Sequence, residues 1–276
     1  RVSAFNRYCG VDVHGLSARQ VKDLFPLART DDILAGFYVK EDGRVNPVDV
    51  TMSMAKGTRM KGATLIEGVR VTGVTTKRGA VTGVTTDHGD ISCDVVINCG
   101  GMWTRELAAK TGVNVPLQAA EHYYLITDKI AGISNQLPVI EDPESHGYFR
   151  EEGGGLMIGL FEPVCAPWKL GGVPEDFSFG EIQPDWDRMG PYVEKAMARV
   201  PVSQNAGVKK FFCGPESFTP DLLPCVGEAP ELKNYFMAAG LNSVGILTGG
   251  GMGRVVAQWI TTGDPGCDVT GFNVDR

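Results

Sequence analysis

The chain has 276 residues, of which 43% are hydrophobic and 21% charged, a composition typical of globular proteins with one large or two smaller cores. A formal net charge of −7 and the lack of a basic run argue against a general nucleic-acid binder and favour a small-molecule ligand. No segment reaches the roughly 18 apolar residues that span a bilayer, so we expect no membrane span. Because the chain opens at Arg1 in globular-type sequence, we expect a fragment of a longer protein.

Cysteine and histidine spacing argues against a disulfide framework and against a metal site. The seven cysteines are scattered, with no C-x-x-C pair. We expect reduced, mostly buried thiols in a reducing compartment. His14, His88 and His146 lie far apart in the sequence and lack metal-ligand spacing.

Two early segments carry helix signals. In "GLSARQVKDLFPLA", Ser17 and Gln20 have the spacing of a capping box. In "NPVDVTMSMAKGTRMKG", Asn46 is the predicted N-cap, Pro47 the first helical residue and Gly62 the stop. A β-type repeat follows, with "VTGVTT" at both 71–76 and 81–86, and it predicts a hairpin or meander.

The segment from Asp94 to Gly112 predicts a strand, a turn and a helix. Asp94–Asn98 is a continuous apolar run of the kind expected for a strand buried on both faces. Gly100 and Gly101 follow, and a helix is predicted from about Trp103. Ligands of open α/β sheets sit beyond the carboxyl ends of such strands, although a tight turn without a ligand explains the same pattern.

The remaining chain changes from β-rich to mixed character. From Leu117 to about Val164 we expect an antiparallel sheet with "EEGGG" as a hairpin connection, then a helix interrupted by Pro191. "YFMAAG" predicts a buried strand. In "AAGLNSVGILTGGGMGRVVAQWI", Gly249–Gly251 are predicted to form a loop between a strand and a terminal helix. Rossmann-like elements thus flank an inserted β-rich region, an α/β (α+β) fold.

Several of these motifs, in the same order, resemble the D-amino-acid-oxidase-like flavoproteins, most closely the dimethylglycine and sarcosine dehydrogenases. They include "LFPLARTDDILAGFYVKEDGRVNPVDVTMSMAKGTRMKGA", "VINCGGMWTRELAAKTG", "EHYYLIT" and the stretch from "GPESFTPDLLPCVGEAP" to "GMGRVVAQWITTGDP". The resemblance implies an FAD-binding Rossmann-like domain with an inserted antiparallel substrate domain. It assigns 1–116 and 208–276 to the FAD-binding domain, the first with some substrate-domain elements, and 117–207 to the substrate domain.

The resemblance also implies where FAD binds. Val69 would meet the adenosine part, Asn98 to Trp103 would pack along the cofactor, and backbone N–H groups near Gly249 to Met252 would lie at the pyrimidine edge of the flavin, where they stabilise negative charge. The predicted cofactor-binding residues are Val69, Asn98, Cys99, Gly100, Gly101, Trp103, Gly214, Gly240, Gly245, Ile246, Gly249, Gly250, Gly251 and Met252.

The chain departs from this family pattern at two places. The G-x-G-x-x-G turn for the FAD pyrophosphate, its ribose-binding acidic residue and the histidine that carries covalent FAD belong upstream of Arg1. The C-terminal folate-binding region of the longer members is missing as well. We therefore expect the isolated chain to be unable to hold FAD on its own.

A further comparison favours a dehydrogenase over an oxidase. Monomeric sarcosine oxidases carry a lysine, which promotes the oxygen reaction, in the loop after the position equivalent to Gly245. This chain has Ile246-Leu247-Thr248 there. Their flavin-attachment cysteine falls near Gly214, one residue from Cys213. The expected electron acceptor is a carrier such as an electron-transfer flavoprotein.

The β-rich region must supply the groups that hold and deprotonate an amino-acid-like amine. His122 and Tyr124 alternate onto one strand face, and Tyr148, Arg150 and Asn242 complete the predicted catalytic set. Each has a plainer interpretation: His122 as a hydrogen-bonded structural residue, the tyrosines as sheet packing, and Arg150 as a hairpin ion pair instead of a carboxylate ligand.

We therefore expect an FAD-dependent dehydrogenase of N-methylated glycine derivatives, located in the bacterial cytoplasm or the mitochondrial matrix. Two alternatives stay open. One relative of these dehydrogenases is a regulatory subunit of a phosphatase, which allows a non-catalytic interaction module. An oxidase, or an enzyme for another amino acid, is the second alternative.

Overall fold

The computed structural model describes residues 1–276. The helices are α1 Val2–Tyr8, α2 Ala18–Leu24, α3 Pro47–Met60, α4 Thr104–Ala109, α5 Trp186–Arg199 and α6 Gly245–Thr262. The strands are β1 Val13–Leu16, β2 Gly36–Val39, β3 Val71–Lys77, β4 Ala80–Thr86, β5 Gly89–Ser92, β6 Val96–Asn98, β7 Gln118–Thr127, β8 Ile140–Asp142, β9 Gly147–Glu152, β10 Gly155–Leu160, β11 Val208–Phe218, β12 Cys225–Glu228 and β13 Tyr235–Ala239. Short 3₁₀ helices lie at Gly101–Trp103 and Pro201–Asn205.

These elements form two compact units. Unit 1 comprises Arg1–Asn46, His122–Cys165 and Glu181–Gly214. Unit 2 comprises Pro47–Glu121, Ala166–Gly180 and Pro215–Arg276. The mixture of helices with mainly antiparallel sheets agrees with the predicted α/β (α+β) class.

Unit 1 is built on a five-stranded sheet with the strand order β11-β7-β10-β9-β8. The pairs β7/β10, β10/β9 and β9/β8 are antiparallel, which confirms the predicted antiparallel sheet. Gly153 and Gly154 form the connection between β9 and β10 and both have positive φ, as a tight hairpin requires. Alternate residues such as Tyr123, Leu125 and Phe149 are fully buried on one sheet face.

Helix α5 covers that buried face. Its residues Met189, Val193 and Ala196 recur at helical spacing and belong to the same core cluster. The prediction that Pro191 interrupts the helix is wrong, because α5 runs continuously from Trp186 to Arg199. A proline inside a helix removes one backbone hydrogen bond and crowds the carbonyl four residues before it, and the packed apolar face of α5 offsets that cost.

Unit 2 contains a meander of β3, β4 and β5 and a three-stranded sheet ordered β12-β13-β6. The meander confirms the predicted hairpin. In the second sheet, β12 pairs antiparallel and β6 parallel with β13. The expectation of a β6 buried on both faces is wrong, since Ile97 is 45% exposed. Ile97 lies beside Phe236 on the same sheet face, where Phe236 packs with Val256 of α6, but Ile97 is not part of that packed cluster.

The early helices agree with their sequence signals. The Ser17 hydroxyl and the Gln20 amide form the reciprocal hydrogen bonds of a capping box at the start of α2. Helix α3 begins at Pro47, and Gly62, just beyond its end, has φ of 89°.

The predicted glycine loop before the terminal helix is wrong. Helix α6 already begins at Gly245, so Gly249–Gly251 lie inside it. The chain reverses earlier, at Asn242 and Ser243, whose φ angles are 47° and 67°. Asparagine tolerates this left-handed conformation because its short side chain bonds to nearby backbone, so the turn does not need the glycines.

The thiols are less buried than expected. Only Cys213 and Cys225 are buried, whereas Cys9, Cys99, Cys165 and Cys267 are exposed. Their sites lie mostly in loops, where surrounding side chains do not cover them. None of the helices is both long and apolar enough to cross a membrane.

Candidate active site

The predicted site residues fall in both units, and each part is described separately. In unit 2, two turns follow the carboxyl ends of neighbouring parallel strands. Asn98, the last residue of β6, lies opposite Met237 of β13. The turn after Asn98 and the turn after Ala239 therefore lie at the same end of the sheet, the position where α/β sheets bind ligands.

Asn98 shapes the first of these turns. Its side chain is buried, and Nδ2 donates hydrogen bonds to the Tyr235 hydroxyl at 2.7 Å and to the Thr104 carbonyl at 3.2 Å. Its Oδ1 accepts the Gly100 backbone N–H at 3.0 Å. Burial raises the pKa of Tyr235, and the hydrogen bond from Asn98 opposes that rise. The Asn98 side chain is thus engaged within the protein and positions the backbone of the turn.

The other residues near this turn present backbone or apolar surface. Cys99 and Gly100 are exposed, and Gly101 has φ of 56°, a conformation suited to glycine. The Trp103 ring is 37% exposed, and its Nε1 lies 3.5 Å from the Pro174 carbonyl. Val69 is half-buried.

The second turn is held by a side-chain network that the sequence analysis missed apart from Asn242. Asn242 Oδ1 accepts the Thr219 backbone N–H at 2.8 Å, and Nδ2 donates to the Gly240 carbonyl at 2.5 Å. The Ser243 hydroxyl donates to Glu216 at 2.5 Å. The dipeptide Asn-Ser before an apolar segment is the signal that predicts such a turn. Asn242 therefore positions the backbone in this structure, whereas it was predicted as a catalytic residue.

The first turn of α6 supplies unpaired backbone donors. No side chain caps this helix, and the first N–H groups of a helix lack an intrahelical acceptor. These donors belong to Gly245, Ile246 and Leu247, because the N–H of Thr248 already bonds to the Val244 carbonyl at 3.0 Å. The backbone N–H groups of Gly249–Met252, which were predicted to face the flavin, lie inside the helix and bond within it. The unpaired donors belong to the turn before them.

The surface of α6 fits a flat ring system with hydrogen-bond acceptors along one edge, such as the flavin of FAD. A Cβ added at Gly249, Gly250 or Gly251 would meet nothing within 4 Å, so the backbone there is open to approach. Ile246 and Leu247 are 57% and 77% exposed and offer apolar contact. The helix N-terminus adds a partial positive charge that favours negative charge on a ligand.

Three further residues that were predicted to bind the cofactor pack closely against other parts of the protein. Met252 packs against the core cluster of Val226, Phe236 and Val256. Gly240 has φ of 67°, and a Cβ there would overlap Leu117 and Thr219. Gly214 lies in unit 1, where a Cβ would overlap the Phe212 ring.

In unit 1, the structure brings four of the five predicted catalytic residues onto one sheet face. His122 and Tyr124 alternate with the buried Tyr123 and Leu125 along β7. Tyr124 lies opposite Gly159, which in turn lies opposite Tyr148. Arg150 follows two residues after Tyr148 on the same face.

Aromatic rings surround these side chains. The His122 ring lies 4.9 Å from that of Phe161, and the Tyr148 ring lies 5.6 Å from Phe161. Tyr124 stacks on Phe212 with ring centroids 4.7 Å apart. Sequence reasoning missed Phe161, Phe212 and Gly159, because only strand register shows that they share this face.

Arg150 forms an ion pair in this structure. Its Nη2 lies 2.9 Å from Glu152 Oε2, and its Nε lies 3.2 Å from the sulfur of Met157. This is the hairpin ion pair that the sequence allowed as the plainer role of Arg150, in place of binding a substrate carboxylate. An incoming substrate carboxylate would have to compete with Glu152 for the guanidinium group.

A cavity of about 210 Å³ adjoins this face and is lined by Glu141, Asp142, Pro143, His146, Gly147 and Phe161. Asp142 binds the buried Arg199 at 2.7 Å, and Arg199 also binds Asp32 at 2.6 Å. Burial of Asp142 opposes its ionisation, but hydrogen bonds from Ser145 and Arg199 keep its pKa below the ordinary value. The cavity wall is therefore anchored by a charged network.

Comparison with known proteins places these features in a family. A family model described as "FAD dependent oxidoreductase" (DAO) matches residues 2–259. The chain is 38% identical to human mitochondrial sarcosine dehydrogenase over all of its length and 30% of that protein. It is 40% identical to the formaldehyde-forming 4-methylaminobutanoate oxidase of Paenarthrobacter nicotinovorans, with 97% of the chain and 32% of that protein covered.

Mouse mitochondrial pyruvate dehydrogenase phosphatase regulatory subunit is 32% identical, with 100% of the chain and 32% of that protein covered. The chain thus spans about a third of the length of these relatives. The solved structure of L-proline dehydrogenase from P. horikoshii superposes with a TM-score of 0.79 at 23% identity, covering 92% of the chain and 66% of that structure. FAD is the cofactor of this family, as predicted. The chain belongs to the DAO family of FAD-dependent oxidoreductases.

Proposed function

We propose that the protein oxidises an N-methylated glycine derivative, of the dimethylglycine or sarcosine type, as an FAD-dependent amine dehydrogenase acting on a CH–NH bond. The observation that supports this most is the pair of turns at the carboxyl ends of β6 and β13, in a chain whose family uses FAD. Oxidation of the N-methyl C–H bond would pass a hydride to the flavin and leave an iminium form of the substrate, and water would then hydrolyse the iminium to the demethylated amine and formaldehyde.

Unit 2 would hold the flavin. FAD supplies a two-electron acceptor for the substrate C–H bond when it is bound. The N–H groups of Gly245, Ile246 and Leu247 and the dipole of α6 would stabilise negative charge at the pyrimidine edge. Gly100, Gly101 and Trp103 would pack along the cofactor on the neighbouring turn.

Unit 1 would hold the amine. Amines of this type are protonated near neutral pH, and a proton must leave the nitrogen before its lone pair can assist C–H cleavage. The imidazole of His122, which rests on the Phe161 ring, would accept this proton. Tyr124 and Tyr148 would orient the substrate, and Arg150 would exchange Glu152 for the substrate carboxylate.

We propose a dehydrogenase because Ile246, Leu247 and Thr248 place no cation in the first turn of α6, where an oxidase of the sarcosine type carries lysine. Electrons would then pass to a protein carrier such as an electron-transfer flavoprotein. The proposed compartment is the bacterial cytoplasm or the mitochondrial matrix. The Paenarthrobacter relative is an oxidase by name, so the choice of acceptor is the first point to test.

A second candidate function is a non-catalytic regulatory subunit. The mouse phosphatase regulatory subunit, 32% identical over the whole chain, favours it. The four polar residues gathered on one face of unit 1 favour an enzyme instead, because a retired site does not need to keep His122 and Arg150 together.

The deciding experiment is anaerobic addition of sarcosine and, separately, dimethylglycine to the full natural chain purified with FAD. Bleaching of the flavin absorbance by either amine supports the proposal and identifies the better substrate. Reoxidation by air within the turnover time would argue for an oxidase. Persistent colour with both amines would contradict the proposal and favour the regulatory candidate.

A further inference from the structure

Gly159 lies at the centre of the polar face of unit 1. It is the central residue of a row in which Tyr148 of β9 lies on one side and Tyr124 of β7 on the other. In such a row a side chain would project onto the face that carries the two tyrosines. Gly159 has no side chain, so a neighbouring residue can occupy this space.

The ring of Tyr148 fills that space. A Cβ added at Gly159 would overlap Cε1, Cζ and Oη of Tyr148. The far end of the ring therefore lies directly over Gly159 and reaches across β10 towards the strand that carries Tyr124. Gly159 itself is buried, whereas Tyr148 keeps part of its surface open.

We propose that Gly159 is a positioning residue for Tyr148, and that the flat ring it permits sets how many N-methyl groups the substrate carries. This inference rests on the proposed function. A side chain at residue 159 would overlap the Tyr148 ring, so the ring would have to lift off the sheet. It can do so because its atoms lie at the far end of a flexible side chain. The lifted ring would take up space above the sheet, which an N,N-dimethyl amine needs more than an N-methyl amine.

The first test is a cycle of thermal unfolding measurements on the full natural chain with FAD. Gly159→Ala should lower the unfolding midpoint by at least about 2 °C. The loss should disappear in a Tyr148→Ala background, where no ring occupies the space, and persist with Tyr148→Phe, which keeps the ring. Gly15→Ala in β1 is the matched control, because a Cβ there meets nothing within 4 Å.

The second test measures binding and preference. Methoxyacetate, in which oxygen replaces the amine nitrogen, should bind to Gly159→Ala about tenfold more weakly by calorimetry, and the loss should vanish in the Tyr148→Ala background. The ratio of kcat/KM for dimethylglycine over that for sarcosine should fall about tenfold in Gly159→Ala, since one methyl group typically changes selectivity by this amount.

The two hypotheses fail in different ways. Additive losses in the Gly159 and Tyr148 variants would overturn the positioning role, and an unchanged substrate ratio would overturn the substrate preference. Either result would leave the amine dehydrogenase proposal standing. Failure of both amines to bleach the flavin of the unmodified protein would overturn the proposed function and the substrate preference with it. The thermal cycle would then still show whether Gly159 positions the Tyr148 ring.

Discussion

Asn98 and Tyr235 are both buried and joined by a 2.7 Å hydrogen bond from the asparagine Nδ2 to the tyrosine hydroxyl. The same Asn98 side chain accepts the N–H of Gly100, so it links β13 to the turn that follows β6. We expect Asn98→Ala to lower the free energy of unfolding by about 2 kcal/mol or more, because it leaves several buried groups unpaired. Tyr235→Phe should cost about 1 kcal/mol. Equal losses in urea unfolding would contradict the central role of Asn98.

Asn242 contributes to its turn in two ways, through its positive φ and through its side-chain hydrogen bonds, and two substitutions separate these contributions. Asn242→Gly keeps the left-handed conformation but loses the bond from Thr219, whereas Asn242→Ala loses both. We expect weaker FAD binding in both variants and a larger loss with alanine. Flavin fluorescence during dialysis measures the dissociation constant, and a variant order with glycine worse than alanine would contradict this account.

The substitution Gly251→Ala should have effects of opposite sign on stability and on FAD binding. Gly251 lies in the interior of α6 with open space around it, so Gly251→Ala should stabilise the FAD-free protein by about 1 kcal/mol through helix propensity. If the flavin approaches the backbone there, the added methyl group should weaken FAD binding at the same time. Gly57→Ala in α3, also in open space, is the control and should leave FAD affinity unchanged. A Gly251→Ala protein with unaltered FAD affinity would remove this helix surface from the site.

His122 is expected to act as a base, and its ring also packs on Phe161 at 4.9 Å. His122→Phe retains the ring contact and removes the proton acceptor. We expect it to reduce the anaerobic rate of flavin reduction by about 100-fold while FAD content stays near normal. His122→Ala should lower the same rate and also stability. Equal losses of rate and FAD content in His122→Phe would make His122 a structural residue.

The Arg199 network makes stability depend on pH. Hydrogen bonds from Arg199 and then Arg29 lower the pKa of Asp32, and Arg199 contributes to the lowered pKa of Asp142. Carboxylates with a folded-state pKa below the unfolded value of 3.8 stabilise the fold above that pH and lose this effect as the pH falls through the folded pKa. Arg199→Met should cost about 3 kcal/mol at neutral pH, and its difference from the unmodified protein should shrink below about pH 4. A difference that is constant from pH 7 to pH 3 would contradict the network.

Local signals in the sequence predicted the elements whose ends depend on nearby residues. The capping box of Ser17 and Gln20, the start of α3 at Pro47 and the glycine hairpin at 153–154 depend on contacts within a few residues, and each is present. Motif order along the chain predicted the family and its cofactor, because those motifs extend over most of the sequence.

The errors arose where a local pattern has more than one physical solution. A glycine run suits a loop or a helix, and the left-handed turn at Asn242 and Ser243 allowed α6 to begin before Gly249. An apolar run suits a strand that is covered on one face or on both, and the cluster that packs Phe236 against α6 does not include the neighbouring Ile97, which stays exposed.

The sequence by itself determined the fold class, the FAD-dependent family and the presence of His122, Tyr124, Tyr148 and Arg150 on neighbouring strand-type segments. Only the tertiary structure decided that Gly159 separates Tyr148 from Tyr124, that Phe161 supports His122, and that Arg150 is paired with Glu152. The physical reason is that strand register and ring packing join residues distant in the chain, and no local pattern of residue types specifies which partners will meet.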